Sequence, residues 1–348
     1  MRVETELPMG DLRATSAAAR RLERLGYDGL VAREGRHDPY LPLAVAATRT
    51  RRVTLATSVA IAFPRSPMVT AMVAWDLQRA SGGRFSLGLG TQVRGHNERR
   101  FATPWVGPPQ QRMRDYIRAV RAAWHTFQTG AALDHRGPYY NLTLMTPNFN
   151  PGPLDCGPPK ILLAAIGPAM SRLAGELCDG VRVSLFSTPE YIRDAIVPEM
   201  RRGAERAGRD PATLEVAGLG FICTGPTTAD VERRREETRR RVAYFGSTPR
   251  YRGVFEYYEQ QELTPRLTEM GEQGRWDEMA ALIPDSLLDR FVIAGTYDEI
   301  VPRLLERYGG VCTSIDFTIP SDTPADRERL RHIVAALHRE ERPTDRNG

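Results

Sequence analysis

The stretch Arg52–Gln92, RVTLATSVAIAFPRSPMVTAMVAWDLQRASGGRFSLGLGTQ, decides the fold. Val53 to Val59 is uncharged and rich in β-branched residues, which predicts a strand buried on both faces. In Phe63-Pro64-Arg65-Ser66-Pro67 the prolines forbid further pairing, and Ser66 can cap a helix that has Pro67 at its first position. That helix is expected from Pro67 to about Ala80, with Met68, Met72, Trp75 and Leu77 set among small residues and a stop at Ser81-Gly82-Gly83. Phe85 to Leu89 predicts a second buried strand, ending at Gly88-Leu89-Gly90-Thr91. Strand, crossover helix and strand form a right-handed βαβ unit, the element of a parallel sheet. Parallel sheets bind ligands at the carboxyl ends of their strands. Here those ends are Thr57-Ser58-Val59 and Gly88-Leu89-Gly90.

The alternation extends outward from this unit. On the amino-terminal side, Val3 to Leu7 reads as a strand, Leu12 to Leu25 as an amphipathic helix closed by Gly26, Gly29-Leu30-Val31 as a short strand, and Pro42 to Thr48 as a helix. On the other side, a helix is expected from about Gln111 to Phe127, then a hairpin across Asp134 to Met145 and a Pro/Gly-rich linker from Pro147 to Pro159. Strands are expected at Lys160 to Ala164, Val181 to Leu185, Leu214 to Cys223 and Ile315 to Ile319, with helices at Pro168 to Leu177 and Thr188 to Ala207. A mostly helical excursion from Thr228 to Ile283 carries Tyr244, Phe245, Tyr251, Phe255, Tyr257 and Tyr258. Eight strands with intervening helices point to a closed (β/α)8 TIM barrel rather than an open sheet. Residues 1–340 read as a single domain with insertions at about 130–158 and 228–283, followed by a tail at 341–348. No G-x-G-x-x-G follows the first strand, so a dinucleotide-binding Rossmann fold has little support.

Composition narrows the function. The net charge is +5, but acids and bases are interleaved, and the run from Glu232 to Arg241 mixes signs at helical spacing as a solvated helix face does. A nucleic-acid surface needs one-signed clusters with aromatics between them. No apolar run approaches the roughly 20 residues of a membrane span, and MRVETELP lacks a signal-peptide core, so a cytoplasmic protein without a membrane partner is expected. Cys156, Cys178, Cys223 and Cys312 are scattered, and the histidines show no ligand spacing, so no metal is expected. Lys160, the only lysine, lies beneath the turn that follows its strand.

Four motifs, in this order and spacing, carry a family resemblance: RRVTLATSVAIAFPRSP, LQRASGGRFSLGLGT, PPKILLAAIGPAMSRLAGELCDGV and DRFVIAGTYDEI. From Met1 to about Leu337 the chain resembles the luciferase-like monooxygenase superfamily of flavin- or deazaflavin-dependent TIM barrels, and within it the coenzyme F420-dependent oxidoreductases of actinobacterial type. The third motif has its own physical logic, because a strand opening through Ile166-Gly167-Pro168 into a helix leaves unpaired backbone N–H groups where a phosphate can sit. An ordinary αβ loop reads the same way. The resemblance implies the cofactor phosphate there, against Ala165, Ile166, Gly167, Ala169 and Met170. It further implies a non-proline cis peptide at Ser58-Val59 beneath the cofactor ring, and a ring contact from Asn97.

His37 follows the second strand, beside Asp38. The resemblance implies a histidine over the redox-active carbon, and an imidazole titrating near neutrality suits an acid or base; a solvated loop histidine is the competing reading. After the fourth strand, Gln92, Arg94, His96, Asn97 and Glu98 occupy the loop where relatives often offer a carboxylate and an asparagine. The general acid stays open among His37, His96 and Glu98, and Glu98 also reads as a helix cap. The expected activity is hydride transfer between coenzyme F420 and a small organic substrate, the cofactor supplying the redox chemistry. The alternatives are an FMN-dependent monooxygenase on the same fold and a non-catalytic barrel acting as a binding protein. A homodimer is implied by the resemblance alone. Aromatic residues of the excursion, with Trp105 and Trp276, read either as an apolar cover for the substrate or as packing onto the barrel.

Overall fold

The computed structural model describes residues 1–339 except Leu219, with backbone alone at Arg339; the tail expected at 341–348 lies outside the described residues. The strands are β1 (Arg2–Glu6), β2 (Gly29–Ala32), β3 (Thr54–Thr57), β4 (Ala60–Ile61), β5 (Phe85–Gly90), β6 (His135–Arg136), β7 (Asn141–Leu142), β8 (Lys160–Ala164), β9 (Gly180–Arg182), β10 (Glu215–Ala217), β11 (Phe221–Gly225), β12 (Val292–Thr296) and β13 (Ser314–Asp316). The helices are α1 (Leu12–Arg24), α2 (Tyr40–Ala47), α3 (Pro67–Ser81), α4 (Arg94–Arg100), α5 (Pro109–Thr129), α6 (Pro168–Leu177), α7 (Pro189–Tyr191), α8 (Val197–Arg206), α9 (Thr228–Gly246), α10 (Arg252–Tyr257), α11 (Leu263–Glu272), α12 (Asp285–Phe291), α13 (Ile300–Tyr308) and α14 (Pro324–Arg339). Parallel pairing runs β1-β2-β3-β5-β8-β9-β10-β13 and back to β1, closing an eight-stranded barrel. The Leu55↔Phe85 and Arg2↔Ser314 registers complete the ring.

The deciding stretch folds as its residues dictate. Ser66 Oγ accepts from the Val69 amide at 3.2 Å, Pro67 opens α3, and Gly82 closes it at φ 64°. Trp75 and Ala71 pack inward, where Trp75 meets Phe127 of α5 edge-on at 5.5 Å. The strand expected from Val53 to Val59 is shorter than that: β3 ends at Thr57, the Ser58-Val59 peptide is cis, and β4 resumes beyond it against Leu89 and Gly90. The chain kinks there because Ser58 and Val59 leave the ladder where β3 reaches the barrel mouth.

A second expectation is also corrected. Leu214 to Cys223 is two strands, because Gly218 at φ 120° turns the chain out of the ring after β10. Beyond the turn β11 pairs with β12 in a separate parallel ribbon, Phe221 facing Val292 and Gly225 facing Thr296. The Tyr308 hydroxyl pins the turn by accepting from the Gly220 amide at 2.9 Å. The hairpin expected at Asp134 to Met145 is the antiparallel pair β6–β7.

Side chains alternate in and out along a barrel strand, so Arg2, Glu4 and Glu6 of β1 share the inner face. Arg182 of β9 reaches Glu4 at 2.9 Å, with both side chains nearly sealed from water. β1 and β9 stand three places apart in the ring, so this pair spans the barrel interior. Below it, Glu215 of β10 receives Lys160 at 2.5 Å and also pairs with Arg2; above it, Arg33 approaches Glu6 at 3.7 Å. The axis of this barrel is a stack of ion pairs rather than an apolar plug.

Candidate active site

All eight ring strands point the same way, so their carboxyl ends meet at one mouth. Ser58 stands there with its amide donating to the Ala32 carbonyl at 2.7 Å. Thr57 Oγ1 donates to the Gly88 carbonyl at 2.7 Å and accepts from the Gly88 amide at 2.8 Å. A Cβ on Gly88 would fall 1.9 Å from the Thr57 carbonyl oxygen, and one on Gly90 would fall 2.7 Å from Val59 Cγ2. These contacts explain Gly88-Leu89-Gly90: only glycine lets β5 lie against the Ser58-Val59 bulge. Ala164, at the end of β8, is the next neighbour of that Gly90 position at 3.5 Å, which brings the bulge beside the turn after β8.

That turn presents its amides and ties back its carbonyls. The Gly167 carbonyl accepts from the Ser171 amide and hydroxyl, and the Ile166 carbonyl accepts from the Tyr191 hydroxyl at 2.8 Å. Pro168 has no N–H, so Ala169 and Met170 supply the first amides of α6, with Ala165 buried behind them. Gly167 has an ordinary φ of −115°, and a Cβ there meets nothing within 4 Å. Neither backbone nor neighbours demand glycine at this point, and the space that a side chain would enter is open. Lys160 is not part of this turn. It starts β8 at the opposite rim, where it is committed to Glu215.

The loop after β2 is held by residues that sequence reading passed over. Glu34 accepts from the Ile61 amide at 2.6 Å and from Arg65 at 2.7 Å, and Arg65 also binds Asp38 at 2.8 Å while lying over the Tyr40 ring. Asp38 is thus committed to Arg65 and the Tyr40 amide, and His37 next to it is exposed with no hydrogen-bond partner among the described residues. The sequence signal for this anchor is Glu34 and Arg65, each at a strand end. Arg100 of α4 donates to the Gly35 carbonyl, so the His37 loop and the loop carrying His96 are neighbours.

Asn97 is fully buried. Its Nδ2 donates to the Thr91 and Val93 carbonyls at 3.0 and 3.1 Å, and its Oδ1 has no partner. Its side chain holds the Thr91–Val93 turn, with one acceptor unspent. Glu98 is not a cap; it lies within α4, paired with Arg94 at 3.0 Å. His96 is exposed.

The excursion crosses the mouth. Arg250 lies over Trp105, which follows β5, and Tyr251 bonds Ser184, which follows β9, while packing on Phe186 at 5.2 Å. Three arginines of this end lack full compensation. Arg33 Nε is buried without a partner; Arg241 and Arg250 are exposed and have no carboxylate partner among the described residues, and the desolvation of their inner atoms holds both below the ordinary guanidinium pKa. Deeper in, Asp316 is buried with Oδ1 unpartnered, and burial pushes its carboxyl up to about 6 against the pull of Arg182. Among the described residues no cluster of His, Cys, Asp and Glu is placed to hold a metal, and no helix is long and apolar enough to cross a membrane.

A closed eight-stranded parallel ring with a broken third strand and a helix-opening turn after the fifth defines a (β/α)8 barrel with its candidate site at one mouth. The family model described as luciferase-like monooxygenase matches residues 2–314, and the chain belongs to that family of oxidoreductases. It is 39% identical over 339 residues to the uncharacterized protein Rv1360 of Mycobacterium tuberculosis, covering 97% of this chain and 98% of that one. It is 29% identical over 340 residues to the protein of the same organism named "Putative coenzyme F420-dependent oxidoreductase Rv3520c", covering 90% and 92% of the two chains. The coenzyme F420-dependent tetrahydromethanopterin reductase of Methanopyrus kandleri superposes with a TM-score of 0.75 over 98% of this chain and 99% of that one, at 21% identity, a likeness of fold.

Proposed function

We propose that this protein transfers a hydride between coenzyme F420 and a small organic substrate, residues 1–340 acting as one domain. The turn from Ala165 to Met170 carries the reading: the Ile166 and Gly167 carbonyls are tied back, the Ala169 and Met170 amides at the start of α6 have no helical partner, and the space at Gly167 is open. A phosphate fits there without a charged side chain. Coenzyme F420 adds an anionic oligoglutamate tail, for which the undercompensated Arg33 and Arg250 are suited, and the similarity to the F420-named relative supports the same choice. When bound, the deazaflavin supplies two-electron hydride chemistry. The chain would supply the rest: Ser58 and Val59 would back the ring, Asn97 would hold the neighbouring Thr91–Val93 turn against it, and His37 would move a proton at its imidazole to or from the substrate.

Fluorescence titration of both cofactors tests this. Coenzyme F420 should bind at micromolar concentration or tighter, more weakly as salt rises, and FMN far less well. Tight FMN binding without F420 binding replaces this reading with the flavin monooxygenase one. With F420 bound, His37→Ala should lower turnover by about 10²- to 10⁴-fold and leave cofactor affinity in place. Wild-type turnover in that variant moves the proton to His96 or Glu98.

A homodimer accompanies this reading. Leu41 on α2 and Val69 and Met72 on α3 are 55%, 55% and 50% exposed on two packed helices, an apolar face that a second copy would cover. Val69→Glu should shift the protein to monomers in sedimentation analysis.

A further inference from the structure

Beside the mouth, against α9, lies a cavity of about 550 Å³ lined by Arg240, Arg241, Tyr244, Phe245, Trp276 and Met279. Two large aromatic side chains at its rim face water: Tyr244 is 59% and Trp276 49% exposed, their rings 5.7 Å apart. Exposed aromatics gathered around a hollow, unlike single exposed ones, mark a surface that a ligand covers.

Not every arginine of α9 has an acid beside it, and Arg234, away from the cavity, is one that stands without a carboxylate among the described residues. Arg233, Arg235 and Arg239 each hold a carboxylate, from Asp230, Asp289 and Glu236 respectively. Arg240 and Arg241, which line the cavity, hold none among the described residues. Arg241 is stacked over Phe221 at 4.9 Å and faces repulsion from Arg33. Asp277 is the one acid on the lining, so two cations are offset by one charge and the cavity has room for a single anionic group. Phe245 connects it to the mouth, since the same ring packs on Phe221, Tyr251 and Phe186.

We propose that the substrate is an amphipathic monocarboxylate whose carboxylate is held by Arg241 and whose apolar body lies between Tyr244, Trp276 and Phe245. Calling this ligand the substrate rests on the oxidoreductase reading above; its binding does not. Arg241 then sets specificity, because an arginine fork grips a carboxylate in two parallel hydrogen bonds that a neutral isostere cannot match.

Isothermal titration of the full chain with 1-naphthaleneacetate, and with the neutral 1-naphthaleneacetamide as its control, tests the site. The acid should bind the wild type more tightly than the amide. Arg241→Gln should weaken the acid by about tenfold or more while leaving the amide affinity and the melting temperature unchanged. Arg241→Lys should recover part of the loss, and Trp276→Ala should weaken both probes. Equal affinity for acid and amide, or an unaltered acid affinity in Arg241→Gln, overturns the proposal. Failure of F420 to bind a wild type that still takes up the acid through Arg241 overturns the cofactor reading and leaves this site standing.

Discussion

The two rims of the barrel treat charge in opposite ways. At the amino-terminal rim Lys160 and Arg2 converge on Glu215, and the next tier joins Arg182 to Glu4, so cations meet acids inside the ring. At the mouth, Arg241 and Arg250 have no carboxylate among the described residues, Arg33 keeps an unsatisfied Nε, and the first amides of α6 have no helical partner beside an open Gly167. Arg241 and Arg250 are exposed and solvated, but Arg33 Nε is buried without a partner, so the mouth keeps cationic groups free to meet an anion while the other rim pairs its own with acids. In TIM barrels that asymmetry is general: the bottom face stabilises and the top face reacts.

Substitutions at two glycines break or sharpen this contrast. Gly88→Ala is expected to have the largest effect, because its Cβ would sit 1.9 Å from a backbone oxygen that cannot move without β3. A loss of more than about 4 kcal/mol, or failure to fold, should appear in thermal or denaturant unfolding; near-native stability would mean that β5 does not lie as closely on the bulge. Gly167→Asp comes next. A Cβ there meets no protein atom, so the melting temperature should hold, while a carboxylate where a phosphate is expected should weaken F420 binding by about a hundredfold or more. Unchanged affinity would put the phosphate elsewhere and remove the anion-ready character of this rim.

Asp316 lies between the two regimes. Burial pushes its carboxyl up to about 6 in the folded protein against 3.8 for the free group, with Arg182 pulling the other way. Between those values the folded state keeps the proton that the unfolded chain releases. The group therefore supports the fold below about pH 4 and withdraws that support as pH rises through about 6. Asp316→Asn should match the wild type near pH 4 and exceed it above pH 6 by roughly 2–3 kcal/mol, measured by urea unfolding across pH. A constant difference across that range would show that Asp316 is ionised throughout.

Much of the frame was legible because it is local. β8 and α6 occur at Lys160–Ala164 and Pro168–Leu177 as expected, since proline at a helix start and a short apolar run before it leave little choice. The turn at Gly218 was not legible, because an apolar run shows burial but not the point at which a strand leaves a ring. The ion pairs on the axis also escaped, although Arg2, Glu4 and Glu6 repeat at the period of a strand; a charged inner face is recognised only once the ring closes. For the site, family resemblance rather than spacing pointed to Ser58, Val59 and Gly167. The cavity at Arg241 joins one face of α9 to Trp276, more than thirty residues on, a meeting that no local pattern announces.

The smallest effect belongs to the paired rim. Lys160 is over half exposed and shares Glu215 with Arg2, so Lys160→Ala removes one of two cations from an acid that keeps the other. Burial by itself would raise the Glu215 pKa; hydrogen bonds from Lys160 and Arg2 outweigh it and hold the carboxyl below its ordinary value. A lowered folded pKa gives stability that is present above the unfolded pKa and lost as pH falls through the folded one. With Lys160 gone, that loss should set in at a higher pH, and at neutral pH the variant should give up no more than about 1 kcal/mol. Cofactor affinity should not change, because the residue stands a full strand length from the Gly167 turn. If Lys160→Ala instead weakened F420 binding while sparing stability, the division between a structural rim and an anion-binding rim would be wrong, and the only lysine of the chain would belong to the site after all.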